Sequence, residues 1–187
     1  MEKQKTIKLN LGCGPLPLHP QHLQIMQEPE EWTLVDLYVK HPLIKNWDAS
    51  HLTEVDDGSV SHIYSSHTLE HLSHRQVPII LKHWWNKLKK GGIITLNVPD
   101  LVWACKQIMR YENMQPLTSG VYTTFEGNNV LQSILYGTHA HEGEYHKAGF
   151  TPRSLERLLD SAGFSDIIIT PLYDNHDMGV LFATAIK

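Results

Sequence analysis

The sequence has no apolar run approaching the ~18 residues a membrane-spanning helix needs, and Met1-Glu2-Lys3-Gln4-Lys5 leads straight into a strand-like segment without an apolar leader. A membrane protein or an exported one is therefore not expected, and the expected location is the cytoplasm. Cysteine is scarce. Cys13 and Cys105 are the only two and stand in no paired or metal-ligand spacing, which excludes a disulfide framework and fits a reducing compartment. Clustered positive charge is missing too: the formal net charge is -4, and no run of Lys or Arg exceeds Lys89-Lys90. The electrostatic footprint of a nucleic-acid-binding protein is thus absent, and no nucleic-acid partner is expected. Internal repeats and low-complexity segments are also lacking, so one domain spanning residues 1–187 is the default.

What the chain has in quantity is histidine, thirteen in all, densest between His62 and His74 and between His139 and His146. Around these clusters runs a regular rhythm of short apolar segments. Thr6 to Leu11 alternates and stops at Gly12-Cys13-Gly14-Pro15, a strand ended by a glycine turn. A connector with room for a short helix at Gln21 to Gln27 precedes a second strand, Trp32 to Leu37. A third runs from Leu43 to Trp47 and ends at Asp48. Val60 to Ser66 is a fourth, introduced by the turn Asp56-Asp57-Gly58. From Val77 the apolar positions Ile80, Leu81, Trp84, Trp85 and Leu88 mark one helix face, and the spacing predicts a helix ending at Gly91-Gly92 before a fifth strand, Ile93 to Val98. Thr151 reads as an N-cap with Pro152 at the first helical position and Gly163 as the helix end. Two last strands, Asp166 to Thr170 and Gly179 to Ile186, flank the polar turn Asp174 to Asp177.

Strands alternating with helices imply an α/β fold: a doubly wound, mainly parallel seven-stranded sheet with helices on both faces. Ligands in such sheets bind outside the carboxyl ends of the strands, where strand order reverses. The stretch 100–150 interrupts the rhythm for about fifty residues, longer than ordinary connections, and reads as a lid and acceptor-binding insertion.

Three of the strand ends carry residues suited to a nucleoside. Gly12 and Gly14 let backbone approach a ligand closely. Asp36, at the end of the second strand, can accept hydrogen bonds from ribose hydroxyls, the alternative being a solvated acid. Asp48 is followed by the small Ala49, which leaves space for a flat base. A nicotinamide dinucleotide is disfavoured, because Pro17 stands where its third glycine belongs and the proline-rich segment starts no clean phosphate-binding helix.

Leu9-Asn10-Leu11-Gly12-Cys13-Gly14, Val35-Asp36-Leu37, Trp47-Asp48-Ala49-Ser50, the run Ile63 to Leu72 and Leu88-Lys89-Lys90-Gly91-Gly92 together resemble the class I S-adenosylmethionine-dependent methyltransferases, most closely the small bacterial-type, methyltransferase-11-like group. The similarity covers residues 6–100 and resumes at Gly149-Phe150-Thr151 through Phe164. Two departures stand out: Asn10 occupies a usually acidic position, and Leu16 that of a usual third glycine. The resemblance implies S-adenosylmethionine as cofactor and S-adenosylhomocysteine as product. It implies cofactor contacts at Leu11, Gly12, Cys13 and Gly14 for the methionyl part and at Asp36 and Leu37 for the ribose. Asp48 and Ala49 would meet the adenine, and Ser65 and Ser66 the methyl-transfer side. It hints at a small-molecule or glycan-type acceptor.

His67-Thr68-Leu69-Glu70-His71 also matches the H-x-x-E-H pattern of inverted zinc peptidases, in which two histidines one helical turn apart hold zinc and the glutamate activates water. A zinc-dependent hydrolase is therefore a rival. The motif follows directly on a strand instead of lying mid-helix, so no metal is expected, although His139, His141, His146, Glu142 or Glu144 could complete a ligand set. A cofactor-binding module without catalysis is the third reading. For an acceptor hydroxyl, a neutral imidazole suits as base; the candidates, in order, are His146, His71 and His67. Cys13 reads as packing, and Trp84 and Trp85 as core.

Overall fold

The computed structural model describes residues 7–18, 20–112, 133–173 and 179–187. Seven strands form one sheet: β1 (Ile7–Leu11), β2 (Trp32–Val35), β3 (Ile44–Lys45), β4 (Val60–Ser66), β5 (Leu88–Pro99), β6 (Ser165–Tyr173) and β7 (Gly179–Ile186). Their order is β3-β2-β1-β4-β5-β7-β6. The strands from β3 to β5 are mutually parallel, whereas β7 runs antiparallel to both β5 and β6. The sheet is therefore mixed, with the antiparallel pairings confined to the C-terminal hairpin. Helices are few: α1 (Pro20–Met26), α2 (Val77–Lys87), α3 (Leu101–Glu112) and α4 (Pro152–Ala162), with a further helical stretch at 133–136.

Alternation along β1 decides which residues face which layer. Leu9 and Leu11 are fully buried in a core with Ile63 of β4, with Ile80, Leu81 and Trp84 of α2, and with Leu155 and Leu159 of α4. Asn10, between the two leucines, faces the other way and places its amide 3.3 Å from Met26 Sδ of α1. A smaller apolar cluster of Cys13, Leu18, Met26, Trp32, Ile44 and Tyr64 fills that side. Each fully buried Leu or Ile contributes about 1.5–3 kcal/mol.

The C-terminal helix forms as its local signals dictate. Thr151 Oγ1 accepts from Ser154 N at 3.1 Å while Ser154 Oγ accepts from Thr151 N at 2.8 Å, a reciprocal cap, and Gly163 closes the helix in the left-handed region. The helix α2 differs from expectation. It ends at Lys87, and Leu88 is already extended, because Leu88 is buried in the core and pairs with Val60. The register then shifts so that Ile93 faces His62, and Gly91, with φ of 72°, donates its N–H to the Lys187 carbonyl at 2.9 Å. The glycine pair thus lies within an irregular strand and does not cap a helix. The strands β2 and β3 are shorter than expected and stop before Asp36 and Asn46. Trp85 is only partly buried, with the ammonium groups of Lys82 and Lys187 lying 3.7 and 4.1 Å from its ring centroid. Of the expected insertion, α3 and residues 133–150 belong to the described structure. Its centre, residues 113–132, and the expected turn Asp174 to Asp177 lie outside the described residues. Among those residues no helix is long and apolar enough to cross a membrane.

Candidate active site

Strand order reverses between β1 and β4, and at their carboxyl ends opens a cleft of about 790 Å³. Its first wall begins with the turn after β1. Gly12 and Gly14 have φ of 68° and 69°. A Cβ on Gly12 would collide with the Thr68 side chain, while one on Gly14 would meet nothing within 4 Å. The turn is tied to β2 by the N–H groups of Gly12 and Cys13, which donate to the Val35 carbonyl at 2.8 and 3.1 Å.

Asp36 organises the next stretch. Its Oδ2 accepts from Gly14 N at 3.0 Å and its Oδ1 from Tyr38 N and Val39 N, both at 2.9 Å. Asn46 Nδ2 donates to the carbonyls of Asp36 and Val39. One carboxylate therefore couples the glycine turn to the segment after β2 and keeps a lone pair for a ligand. Farther along this wall, Asp48 Oδ1 accepts from Ser50 N and Oγ at 2.8 and 2.6 Å. Burial disfavours the Asp48 charge, but the Ser50 and His51 contacts outweigh it and lower the carboxyl below its ordinary range. Ala49 is fixed through its carbonyl, which accepts from Trp84 Nε1 at 2.7 Å.

The opposite wall carries Ser66, His67, Thr68, His71, His141 and Lys147. β4 is followed by a left-handed residue, His67, with φ of 50°, a conformation costly for a side chain with a Cβ and typical of constrained sites. Its N–H is held by the Asn97 carbonyl at 2.8 Å. Thr68 Oγ1 donates to the Leu11 carbonyl at 3.0 Å, clasping the two walls together. Leu69–His71 form a 3-10 turn in which Glu70 is fully buried, with Oε1 3.1 Å from His67 Nδ1. Burial works against charge on both partners. Their mutual hydrogen bond and attraction outweigh it, holding His67 above and Glu70 below their ordinary values. The His71 and His146 rings meet at 4.8 Å between centroids and 71° between planes.

The candidate residues thus divide. Gly12, Cys13, Gly14, Asp36, Leu37, Asp48, Ala49, Ser66, His67 and His71 line the cleft. Leu11 and Ser65 do not: strand alternation buries them in the sheet, at 0% and 1% exposure. Cys13 borders the cleft, and burial, with the Asp36 charge adding, pushes its thiol up to about 12. His146 sits one ring behind the cleft, against His71, with Nδ1 2.8 Å from the Ile134 carbonyl. Burial is the main cause that lowers its pKa. His139 is exposed and turned onto Tyr145, whereas His141 stacks on Tyr38 at the cleft mouth. Sequence reasoning missed Thr68, Tyr38 and Lys147. Thr68 was discoverable in part, since a residue two past the end of β4 must pack over a glycine in the adjoining turn. The H-x-x-E-H pattern forms a 3-10 turn at Leu69–His71 and not an α-helix, and Glu70 is sealed from the cleft, unlike a water-activating glutamate.

No protein-family profile and no curated protein sequence matches this chain. Solved structures do. An S-adenosylmethionine-dependent methyltransferase from Archaeoglobus fulgidus superposes with a TM-score of 0.60 at 16% identity over 98% of this chain and 88% of its own. A second, from Methanosarcina mazei, gives 0.62 at 16% over 99% and 93%. The chain has the class I methyltransferase fold. Another structure with this methyltransferase fold, the 1,6-didemethyltoxoflavin-N1-methyltransferase of Burkholderia thailandensis with bound 1,6-didemethyltoxoflavin and S-adenosylhomocysteine, gives a TM-score of 0.64 at 17% identity, over 97% of this chain and 70% of its own.

Proposed function

We propose that this protein transfers a methyl group from S-adenosylmethionine to a small-molecule acceptor, of which a glycan-related metabolite is one class. The observation that carries the reading is the cleft itself: glycine turn, Asp36 and the Asp48-Ala49 pair on one wall, a histidine cluster on the other, all at the strand-order reversal of a methyltransferase fold. Its volume of about 790 Å³ falls within the range of cofactor sites. The residues fit the group. Open space over Gly14 admits a main-chain-like moiety, Asp36 retains one acceptor site on Oδ2 for a ribose hydroxyl, and Ala49 leaves room for a base.

The cofactor supplies an activated methyl on a sulfonium, so the protein's task is alignment and exclusion of water. Asp36 and the turn fix one reactant. Ser66, His67 and His71 border the place of the other, and the segment 141–147 closes over it through the N–H groups of Lys147 and Ala148, which donate to the Glu70 carbonyl at 2.7 and 3.0 Å. One histidine, in order of preference His146, His71 and His67, takes the proton of the acceptor, and the insertion 100–150 acts as its lid.

Calorimetry with S-adenosylhomocysteine tests the cofactor. One molecule per chain is expected, with nicotinamide dinucleotides binding more weakly. Asp36→Ala should weaken binding by about 1.5–3 kcal/mol, the worth of hydrogen bonds to a charged group. Asp36→Asn, which keeps one accepting oxygen, should lose less. Unchanged affinity in both variants removes Asp36 from the site, and tighter binding of a dinucleotide overturns the assignment. Transfer of label from the methyl to compounds of a cell extract separates an enzyme from a binding module.

A further inference from the structure

Two segments far apart in the chain meet behind the histidine wall, and their side chains offer three acceptors without a donor among them. One ligand-capable atom from each of Glu70, His71 and His146 lies within 4.8 Å of the other two. The backbone hydrogen bonds from Lys147 and Ala148 to the Glu70 carbonyl keep His146 beside the turn that carries the other two. His71 Nδ1 lies 3.3 Å from the Tyr145 carbonyl, and His146 Nδ1 lies 2.8 Å from the Ile134 carbonyl. A carbonyl can only accept, so each Nδ1 carries a proton, and in the neutral imidazole each Nε2 is left with a lone pair. Glu70 Oε1 accepts from His67, while Glu70 Oε2 is buried with no hydrogen-bond partner among the described residues. A carboxylate oxygen sealed from water without a donor is costly, and two imidazole lone pairs beside it supply no donor. A cation satisfies all three.

We propose that Glu70, His71 and His146 bind a divalent first-row transition cation, of the zinc or manganese kind, at the acceptor end of the cleft. Two imidazoles and one carboxylate are a donor set such ions take, with a further position left open. Bonds of about 2.1 Å in a tetrahedral arrangement separate ligand atoms by about 3.4 Å. One ligand-capable atom of each residue is already within 4.8 Å of the others, so side-chain adjustments of about an ångström bring the three to metal-ligand spacing. The outer contacts are those of a metal site: backbone carbonyls orient both imidazoles through Nδ1, and His67 orients the carboxylate. The sequence expectation of no metal rested on the local context of H-x-x-E-H. Here the ligands are distributed differently, with His67 outside, Glu70 as ligand and His146 supplying the second imidazole.

The role of the ion toward an acceptor rests on the methyl-transfer reading above. Of the three ligands His71 alone lines the cleft, so an acceptor would reach the ion on the His71 side. Held by Glu70, His71 and His146, such an ion would supply Lewis-acid polarisation of an acceptor oxygen.

The test is titration of the chelator-stripped full chain with Zn²⁺, and separately Mn²⁺, followed by calorimetry and thermal unfolding, with Co²⁺ as a spectroscopic probe. One ion per chain at micromolar or tighter affinity is expected, with a rise in Tm and a visible Co²⁺ band. His71→Ala, His146→Ala and Glu70→Gln should each weaken binding at least tenfold and abolish the Tm rise, while His67→Ala should weaken it about 10–100-fold as an outer contact. Should Glu70→Gln fail to fold, the two histidine variants decide alone. Wild-type affinity in the His71→Ala, His146→Ala pair overturns the site, and so does a wild-type chain that binds S-adenosylhomocysteine but no ion. A chain that binds the ion but no S-adenosylhomocysteine upholds the site and removes the methyl-transfer reading instead.

Discussion

The two walls of the cleft are built by different means. The wall of Gly12, Asp36 and Asp48 is made of strand ends and the turns that follow them, and its polar groups are engaged mostly by backbone close by. The wall of His67, His71 and His146 is assembled across the chain. Its defining contacts join residues 67–71 to 134–148, and its central carboxylate is fully buried. The first wall is a property of the sheet and needs little beyond it. The second exists only once residues 134–148 have docked, so its chemistry depends on tertiary structure, and variation in that segment can alter it without touching the first wall.

The largest expected effect strikes where the walls touch. Gly12→Ala combines a positive φ with a collision against Thr68, whose hydroxyl is held by the Leu11 and Ser66 carbonyls. A left-handed alanine costs about 1–2 kcal/mol by itself, and displacing Thr68 should bring the loss of S-adenosylhomocysteine affinity to a hundredfold or more. Gly14→Ala has the same φ but open space, so about a tenfold loss is expected. Equal losses in the two variants would show that the Thr68 clasp contributes nothing to the cofactor wall.

His146→Ala breaks the second wall alone. Turnover with an identified acceptor should fall about 10²-fold or more, whether the residue is lost as proton acceptor or as cation ligand, while S-adenosylhomocysteine affinity stays within a factor of about two. A matching fall in cofactor affinity would mean that the walls do not act separately.

The contrast also explains what could be read before folding. The limits of β4, the cap at Thr151 and the stop at Gly163 follow from short-range pattern and match the structure. The acids at 36 and 48 were legible because they end apolar runs. Leu11 and Ser65 have their side chains off the cleft because a motif names consecutive residues, whereas a strand presents only alternate ones to either side. The glycines at 91 and 92 carry the same signal for a helix end and a strand irregularity, and only the burial of Leu88 and the pairing with Lys187 decide between them. The placement of His146 behind His71 is set by backbone contacts between distant segments, to which no local pattern points.

The smallest expected effect supplies the reference for the histidine wall, because a histidine elsewhere on β4 shows what burial does without a carboxylate. His62 packs on Trp32 at 4.8 Å between ring centroids, and its Nε2 lies 2.8 Å from Thr95 Oγ1. Burial, with Lys8 adding, pushes its pKa down from 6.5 to about 4, whereas Glu70 holds His67 above its ordinary value. The sign follows from linkage. Below 6.5 the unfolded chain takes up a proton that the folded chain refuses, so the contribution of a neutral His62 is complete above that pH and is lost progressively down to about 4. Between pH 6.5 and 5.5 the wild-type chain should lose about 1 kcal/mol more stability than His62→Gln, which cannot titrate. Denaturant unfolding of both chains at the two pH values measures this double difference, and subtraction removes the other histidines. A difference near zero would mean that His62 takes up its proton in the folded state, and burial alone would then not distinguish it from the histidines of the cleft.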